Sequence, residues 1–226
     1  MTGKTDNAEL LELAGAMDAA AYMYGLISRM YLEEPSADFI AELRQMRFPA
    51  KTGNEYVDEG YRLIAVYLSR VGAAAQDDLA ADYCRTFIGN GTDSYAAAYP
   101  IESVHTGRKR LIMQASRDEV LAIYRAYGLE KSGHLKDGED HIAYELEFMQ
   151  FLANRCADIL REGDGEQAES LVRAQLNFLD DHLLNWVGKL TKQMRHFART
   201  DFYQGVSYLT FGFCKESRAA LQEMLD

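Results

Sequence analysis

Lys136-Asp-Gly-Glu-Asp-His-Ile-Ala-Tyr-Glu-Leu-Glu-Phe-Met-Gln-Phe-Leu-Ala-Asn-Arg-Cys156 is a polar loop that runs into apolar residues at helical spacing. Ile142, Leu146, Met149, Ala153, Cys156 and Leu160 recur at three- and four-residue steps, the signature of one buried face of an α-helix. Asp137 is expected to cap the first turn, with Glu139 and Asp140 near the positive end of the helix dipole and Gly133 and Gly138 in the loop before it. A core helix does not need an Asp-His pair in its first turn, with His141 one turn ahead of Glu145 on the same side. Those residues are the first functional candidates.

The same period extends in both directions. Leu10, Leu13, Met17, Ala21, Tyr24 and Ile27 form a stripe in a helix from about Asn7 to Tyr31, ended by Glu33-Glu-Pro35. Ser36 caps a short helix to Met46, and Asn54 starts another carrying Val57, Tyr61, Ile64, Leu68 and Val71. Helices are also expected over Asp77–Ile88 up to Gly89, Arg117–Tyr127 up to Gly128, Glu166–Leu184, a segment reaching His196, and Phe202–Leu225 capped by Asp201. With only three prolines and no alternating strand pattern, the chain reads as all-α. The expectation is one helical globule of about nine to eleven helices. Its two lobes would be residues 1–130 and 139–226, joined by a glycine-containing hinge at about 129–138.

At 226 residues and 48% hydrophobic, the chain is large enough to bury a core. Its net charge of -11 argues against nucleic acid and anionic lipid and favours cationic partners. Cys84, Cys156 and Cys214 are widely spaced within apolar runs, as expected of reduced core thiols in a cytosolic protein. No run of about 18 apolar residues suggests membrane insertion. Nucleotide-binding loops, nucleophile elbows and H-E-x-x-H are absent. A metal would have to rest on His141 and Glu145, with help from His134, His182 or His196. The long stretch Asn90–Arg110 carries Tyr95, Tyr99, Pro100, Ile101 and His105, an aromatic loop suited either to covering the core or to binding.

Four blocks in order, Asp82-Tyr-Cys-Arg-Thr-Phe-Ile-Gly89, Tyr99-Pro-Ile-Glu-Ser-Val104, Tyr124-Arg-Ala-Tyr-Gly-Leu129 and Glu139-Asp-His-Ile-Ala-Tyr-Glu-Leu-Glu-Phe-Met149, resemble the TorD/DmsD family of molybdoenzyme maturation chaperones. The resemblance covers about residues 80–155. It implies an all-helical fold, no catalytic activity and no obligatory cofactor. It also implies a partner, a molybdoenzyme catalytic subunit held through its twin-arginine signal peptide until its cofactor is in place. The family's Glu-x-Pro-x-Asp-His pattern has its Asp and His at Asp140 and His141, with Lys136 and Gly138 in place of Glu and Pro. Ile101 stands where an aromatic often follows the proline.

The client-binding residues so implied are Tyr83, Phe87, Tyr99, Pro100, Ile101, Glu102, Ser103, Asp140, His141 and Glu145. Carboxylates beside an apolar groove suit a segment that offers two guanidinium groups followed by apolar residues. The rival readings are a small helical metalloenzyme using His141 and Glu145 and a general helical adaptor. The assembly expected is a monomer or a domain-swapped dimer.

Overall fold

The computed structural model describes residues 7–89, 95–131 and 137–226. Lys136, Gly133 and His134, and the first residues of the aromatic loop, lie outside the described residues. Ten α-helices are present among the described residues: α1 Asn7–Leu32, α2 Ala37–Gln45, α3 Glu55–Arg70, α4 Ala75–Tyr83, α5 Glu102–Thr106, α6 Ala115–Ala126, α7 Ile142–Glu162, α8 Gly165–Phe178, α9 Leu184–Phe197 and α10 Asp201–Glu223. The described residues contain no strand, so the all-α reading holds.

Local chemistry sets many of the boundaries. Ser36 accepts from the Phe39 N–H, and Asn54 accepts from the Tyr56 and Val57 N–H groups, as capping side chains do. Four expectations need correction. Asp137 does not cap α7; His141 does, its Nδ1 accepting from the Ala143 N–H at 3.2 Å. Thr200 rather than Asp201 caps α10, accepting from the Tyr203 N–H at 3.3 Å. The stretch before Arg110 contains a buried helix, α5. The chain does not break near Leu184, because the π-helical turn Leu179–Leu183 carries α8 into α9; a second such turn, Cys84–Ile88, continues α4 to Gly89.

The packing links distant parts of the chain. α1 lies along α7, α3 along α10, and α8 and α9 pack on α7 and α10 respectively. α1 is apolar enough to cross a membrane by length and composition, with a mean hydropathy of 1.2 over its best window. Its apolar residues Met17, Tyr24, Ile27 and Tyr31 face the core instead. Helices from both halves contribute to one hydrophobic cluster, and Trp186, Tyr24, Tyr31 and Tyr203 are its largest fully buried side chains. Residues 132–136 of the expected hinge lie outside the described residues.

Glycines bring α3 and α10 close together, Gly60 on one side and Gly205 and Gly212 on the other. A Cβ on Gly60 would stand 2.6 Å from the Leu209 backbone nitrogen, and one on Gly205 would stand 2.7 Å from the Gly60 carbonyl oxygen. Backbone cannot yield as a flexible side-chain end does, so the two helices would have to separate. Gly205→Ala is expected to destabilise the protein by about 1–3 kcal/mol, the usual cost of overpacking, despite alanine's better helix propensity. Urea unfolding of that variant beside Gly15→Ala, where nothing lies within 4 Å of the added Cβ, checks this.

Candidate functional site

The aromatic loop and the start of α7 do come together. Residues 100–102 and 140–142 lie antiparallel, with an isolated bridge between Ile101 and His141. The Ile142 N–H donates to the Pro100 carbonyl and the Glu102 N–H to the Asp140 carbonyl, each at 2.9 Å. Each segment satisfies backbone groups that the other would leave bare, so α5 and α7 begin side by side. Asp140 then caps across the chain, not along it: its Oδ2 accepts from the Ser103 N–H at 2.9 Å and from the Ser103 hydroxyl. Gly138 gives room for this turn, since a Cβ there would meet Asp140 Oδ1 at 2.7 Å.

α5 is tied down on its other side as well. His105 Nε2 is 2.9 Å from both the Ala98 and Tyr99 carbonyl oxygens, so it carries the proton and donates. The His105 ring stacks on Trp186, with centroids 5.2 Å apart. Tyr99 holds a left-handed backbone, φ 45°, ahead of Pro100. Non-glycine residues seldom adopt that conformation, and it persists because the contacts on either side fix it.

Below this seam sits a buried polar cluster. Glu102, Glu145 and Asp140 are at most 2% exposed. Glu102 Oε2 lies 3.1 Å from His182 Nδ1, and the Trp186 indole donates to Glu145 Oε2 at 3.2 Å. Burial, reinforced by the nearby charges of Glu102 and Asp140, raises the Glu145 pKa well above the carboxylate range. Burial thus favours the neutral acid at Glu145, whose Oε1 has no hydrogen-bond partner among the described residues.

The candidate residues fall into two groups. Ile101, Glu102, Ser103, Asp140, His141 and Glu145 belong to the seam and the cluster beneath it, with Tyr99 and Pro100 at its edge. Tyr83 and Phe87 pack in an aromatic cluster with Tyr31 and Tyr203, where the Tyr83 hydroxyl donates to the Tyr31 carbonyl at 2.9 Å. Their link to the loop runs through the Ala98 N–H, which donates to the Thr86 carbonyl at 2.7 Å. As for metal, His141 Nδ1 is occupied by its cap, and the described residues contain no group of three His, Cys, Asp or Glu side chains placed to hold an ion.

Sequence reasoning did not reach several neighbours. Leu111, Ile112 and Met113 form a run, each 50–54% exposed, that rests beside the Gly138 turn. Three consecutive large apolar residues in a connector were the available signal. Arg117 donates to Glu139 at 2.5 Å, fixing the loop just before Asp140. Trp186 approaches the cluster from a part of the chain with no local clue to it, and His182, considered from the sequence only as a metal ligand, meets Glu102 there.

Comparison with known proteins gives one family and several relatives. The family model described as nitrate reductase delta subunit matches residues 54–192, which include the seam, the cluster and the exposed run. The chain is 31% identical over 147 residues to the chaperone protein TorD of Vibrio parahaemolyticus, covering 65% of this chain and 66% of that protein. It is 32% identical over 149 residues to the chaperone protein TorD of Photobacterium profundum, covering 65% of each. The aligned region thus spans just under two thirds of the length of these relatives. A solved structure from Archaeoglobus fulgidus, a candidate redox enzyme maturation protein, has a TM-score of 0.48 at 17% identity over 90% of this chain and 93% of that one.

Two pH effects of opposite sign arise from the cluster. Burial depresses the pKa of His105 and of His141 from 6.5 to about 4. The stability they contribute is complete above the unfolded value of 6.5 and is lost as pH falls toward 4, at roughly 1.4 kcal/mol per pH unit for each histidine. Urea midpoints measured across that window should fall with pH, and His105→Gln should fall less steeply; an unchanged slope would contradict the assignment. Glu145 has the other sign, because its raised folded pKa gives stability that is present below the ordinary 4.5 and lost as pH rises through the raised value. Glu145→Gln keeps the shape of the neutral acid, so its melting temperature should match that of the wild type below about pH 4.5 and exceed it by a growing margin as the pH rises above that.

Proposed function

The chain belongs to the nitrate reductase delta subunit family, as its matched residues 54–192 require, and from that premise we propose that it is a cytoplasmic maturation chaperone for a molybdenum-cofactor oxidoreductase. It binds the client's twin-arginine signal peptide, its apo form, or both, and assists cofactor insertion without catalysing a reaction itself. Two observations carry this reading: the chain is 31–32% identical over 147–149 residues to chaperones named TorD, and within the family match at 54–192 the structure sets an exposed apolar run beside a fixed acidic turn.

In this reading the buried residues act from beneath. Asp140, His141, Glu102, Ser103 and Glu145 hold the seam rigid, and Tyr83 and Phe87 support the loop through Thr86. Tyr99, Pro100 and Ile101 set the path of the loop, while Leu111, Ile112 and Met113 offer apolar surface to the client. An apolar strip on a protein of net charge -11 suits a cationic segment that continues into an apolar one. The metalloenzyme reading finds no third ligand among the described residues, and no observation favours it.

Isothermal titration with a synthetic twin-arginine signal peptide tests the site. Replacing exposed side chains should spare the fold, so Leu111→Ser with Ile112→Ser is expected to weaken binding roughly tenfold or more, from about 1.5 kcal/mol or more of lost apolar burial. Asp140→Ala should weaken it through loss of the seam. Unchanged affinity in both variants would remove this site. Failure of the tagged chain to capture any molybdoenzyme subunit from its native cytosol would remove the function.

A further inference from the structure

Between the end of α6 and the first three turns of α7 lies a pocket of about 230 Å³. Its walls include Tyr124, Tyr144, Phe148 and Phe151, and Glu130, Glu139 and Glu147 stand at its edge. The connector after α6 already places a cation there. Lys131 Nζ lies 5.8 Å from the centroid of the Tyr144 ring and donates to the Asp137 carbonyl.

Two features mark the pocket as incomplete. The Tyr144 hydroxyl is buried and has no hydrogen-bond partner among the described residues, which is uncommon for a buried polar group. Glu139 is engaged by Arg117, but no ion pair joins Glu130 or Glu147 to any described residue. Aromatic faces, an orphaned acceptor and carboxylates at the rim together ask for a donor-rich cation with an apolar stem.

We propose that this pocket is the seat for an arginine side chain of the client segment, and that Lys131 is a built-in competitor which the arginine displaces. The proposal rests on the chaperone reading and assigns residues within it. A guanidinium is planar, stacks on aromatic rings and presents five N–H donors, so it can reach Tyr144 Oη and a carboxylate together. The lysine ammonium is a compact point charge held on a short tether, and it leaves the tyrosine hydroxyl unmet. The neighbouring surface suits the apolar segment that comes after the arginines in such a client. Met113 Sδ lies 3.7 Å from the position a Gly138 Cβ would take, and Gly138 adjoins Glu139 of the rim. The exposed run of Leu111, Ile112 and Met113 therefore starts next to the cation seat, in the order cation and then apolar strip.

Three labelled peptides test this by fluorescence anisotropy: Arg-Arg, Lys-Lys and Gln-Gln, each followed by the same apolar sequence. Against the wild-type chain the affinity should fall in that order. Tyr144→Phe, which removes only the hydroxyl, and Glu147→Gln, which is exposed, should each weaken the Arg-Arg peptide roughly threefold to tenfold without lowering the melting temperature. Lys131→Met should tighten it by roughly threefold or more, while Lys192→Met, an equal charge change at an exposed site elsewhere, should not. Equal tightening by both lysine variants would reduce Lys131 to general electrostatics and overturn its role as competitor. If the wild-type chain binds the Arg-Arg peptide and none of the pocket variants alters it, the seat is elsewhere and the chaperone reading stands. If the wild-type chain binds no peptide, that reading fails and this assignment with it.

Discussion

Burying Glu102, Glu145 and Asp140 within one acidic protein is the constraint on which the site's architecture depends. Three ionised carboxylates cannot share a dry interior, because each loses its hydration and each raises the energy of the others. The fold resolves this in three ways. Burial favours the neutral acid at Glu145, which accepts from the Trp186 indole, His182 meets Glu102, and Asp140 spends its charge on the Ser103 N–H and hydroxyl. Each solution recruits a different element, so α5, α7 and the turn between α8 and α9 are held in one relation. The backbone seam between residues 100–102 and 140–142 depends on that relation.

The seam also explains why a stretch without long helices is so well fixed. His105 clamps the Ala98 and Tyr99 carbonyls, Lys189 donates to the His105 carbonyl at 3.1 Å, and the Tyr99 backbone is held in a conformation it would not choose alone. Asp82 plays a similar part elsewhere. Buried on α4, it accepts from the Arg199 and Thr200 N–H groups and so positions the start of α10. In both places a carboxylate caps a helix far from it in sequence, where a local cap would have fixed one helix only.

That distinction separates what the sequence disclosed from what it did not. Ser36 and Asn54 act within three residues of themselves, and the stripes of α1, α3 and α7 obey a local period, so these elements could be read directly. Asp137 was the obvious cap for α7 by composition, yet the turn at Gly138 carries Asp140 across to Ser103 and leaves the capping to His141. Asp140, His141 and Glu145 stood out as excess polar groups on an apolar helix, and they do share the seam and the cluster under it. Their partner Trp186 did not, because nothing near it records what it faces, and His182 was legible only as a possible metal ligand, not as the partner of Glu102. The π-helical turns were hidden for a related reason: one extra residue in a turn shifts a stripe too little to distinguish it from a continuous helix.

The glycine contact between α3 and α10 has a consequence for how the chain matures during its own synthesis. Gly60 and Gly205 are far apart in sequence, and α1 likewise waits for α7 before its apolar face is covered. A growing chain therefore carries uncovered apolar helices on the ribosome until its last segment emerges. Closure of such distant pairs makes folding slower than in a bundle of neighbouring hairpins. A protein proposed to shield the unfinished state of another is, for most of its own translation, an unfinished chain that needs shielding.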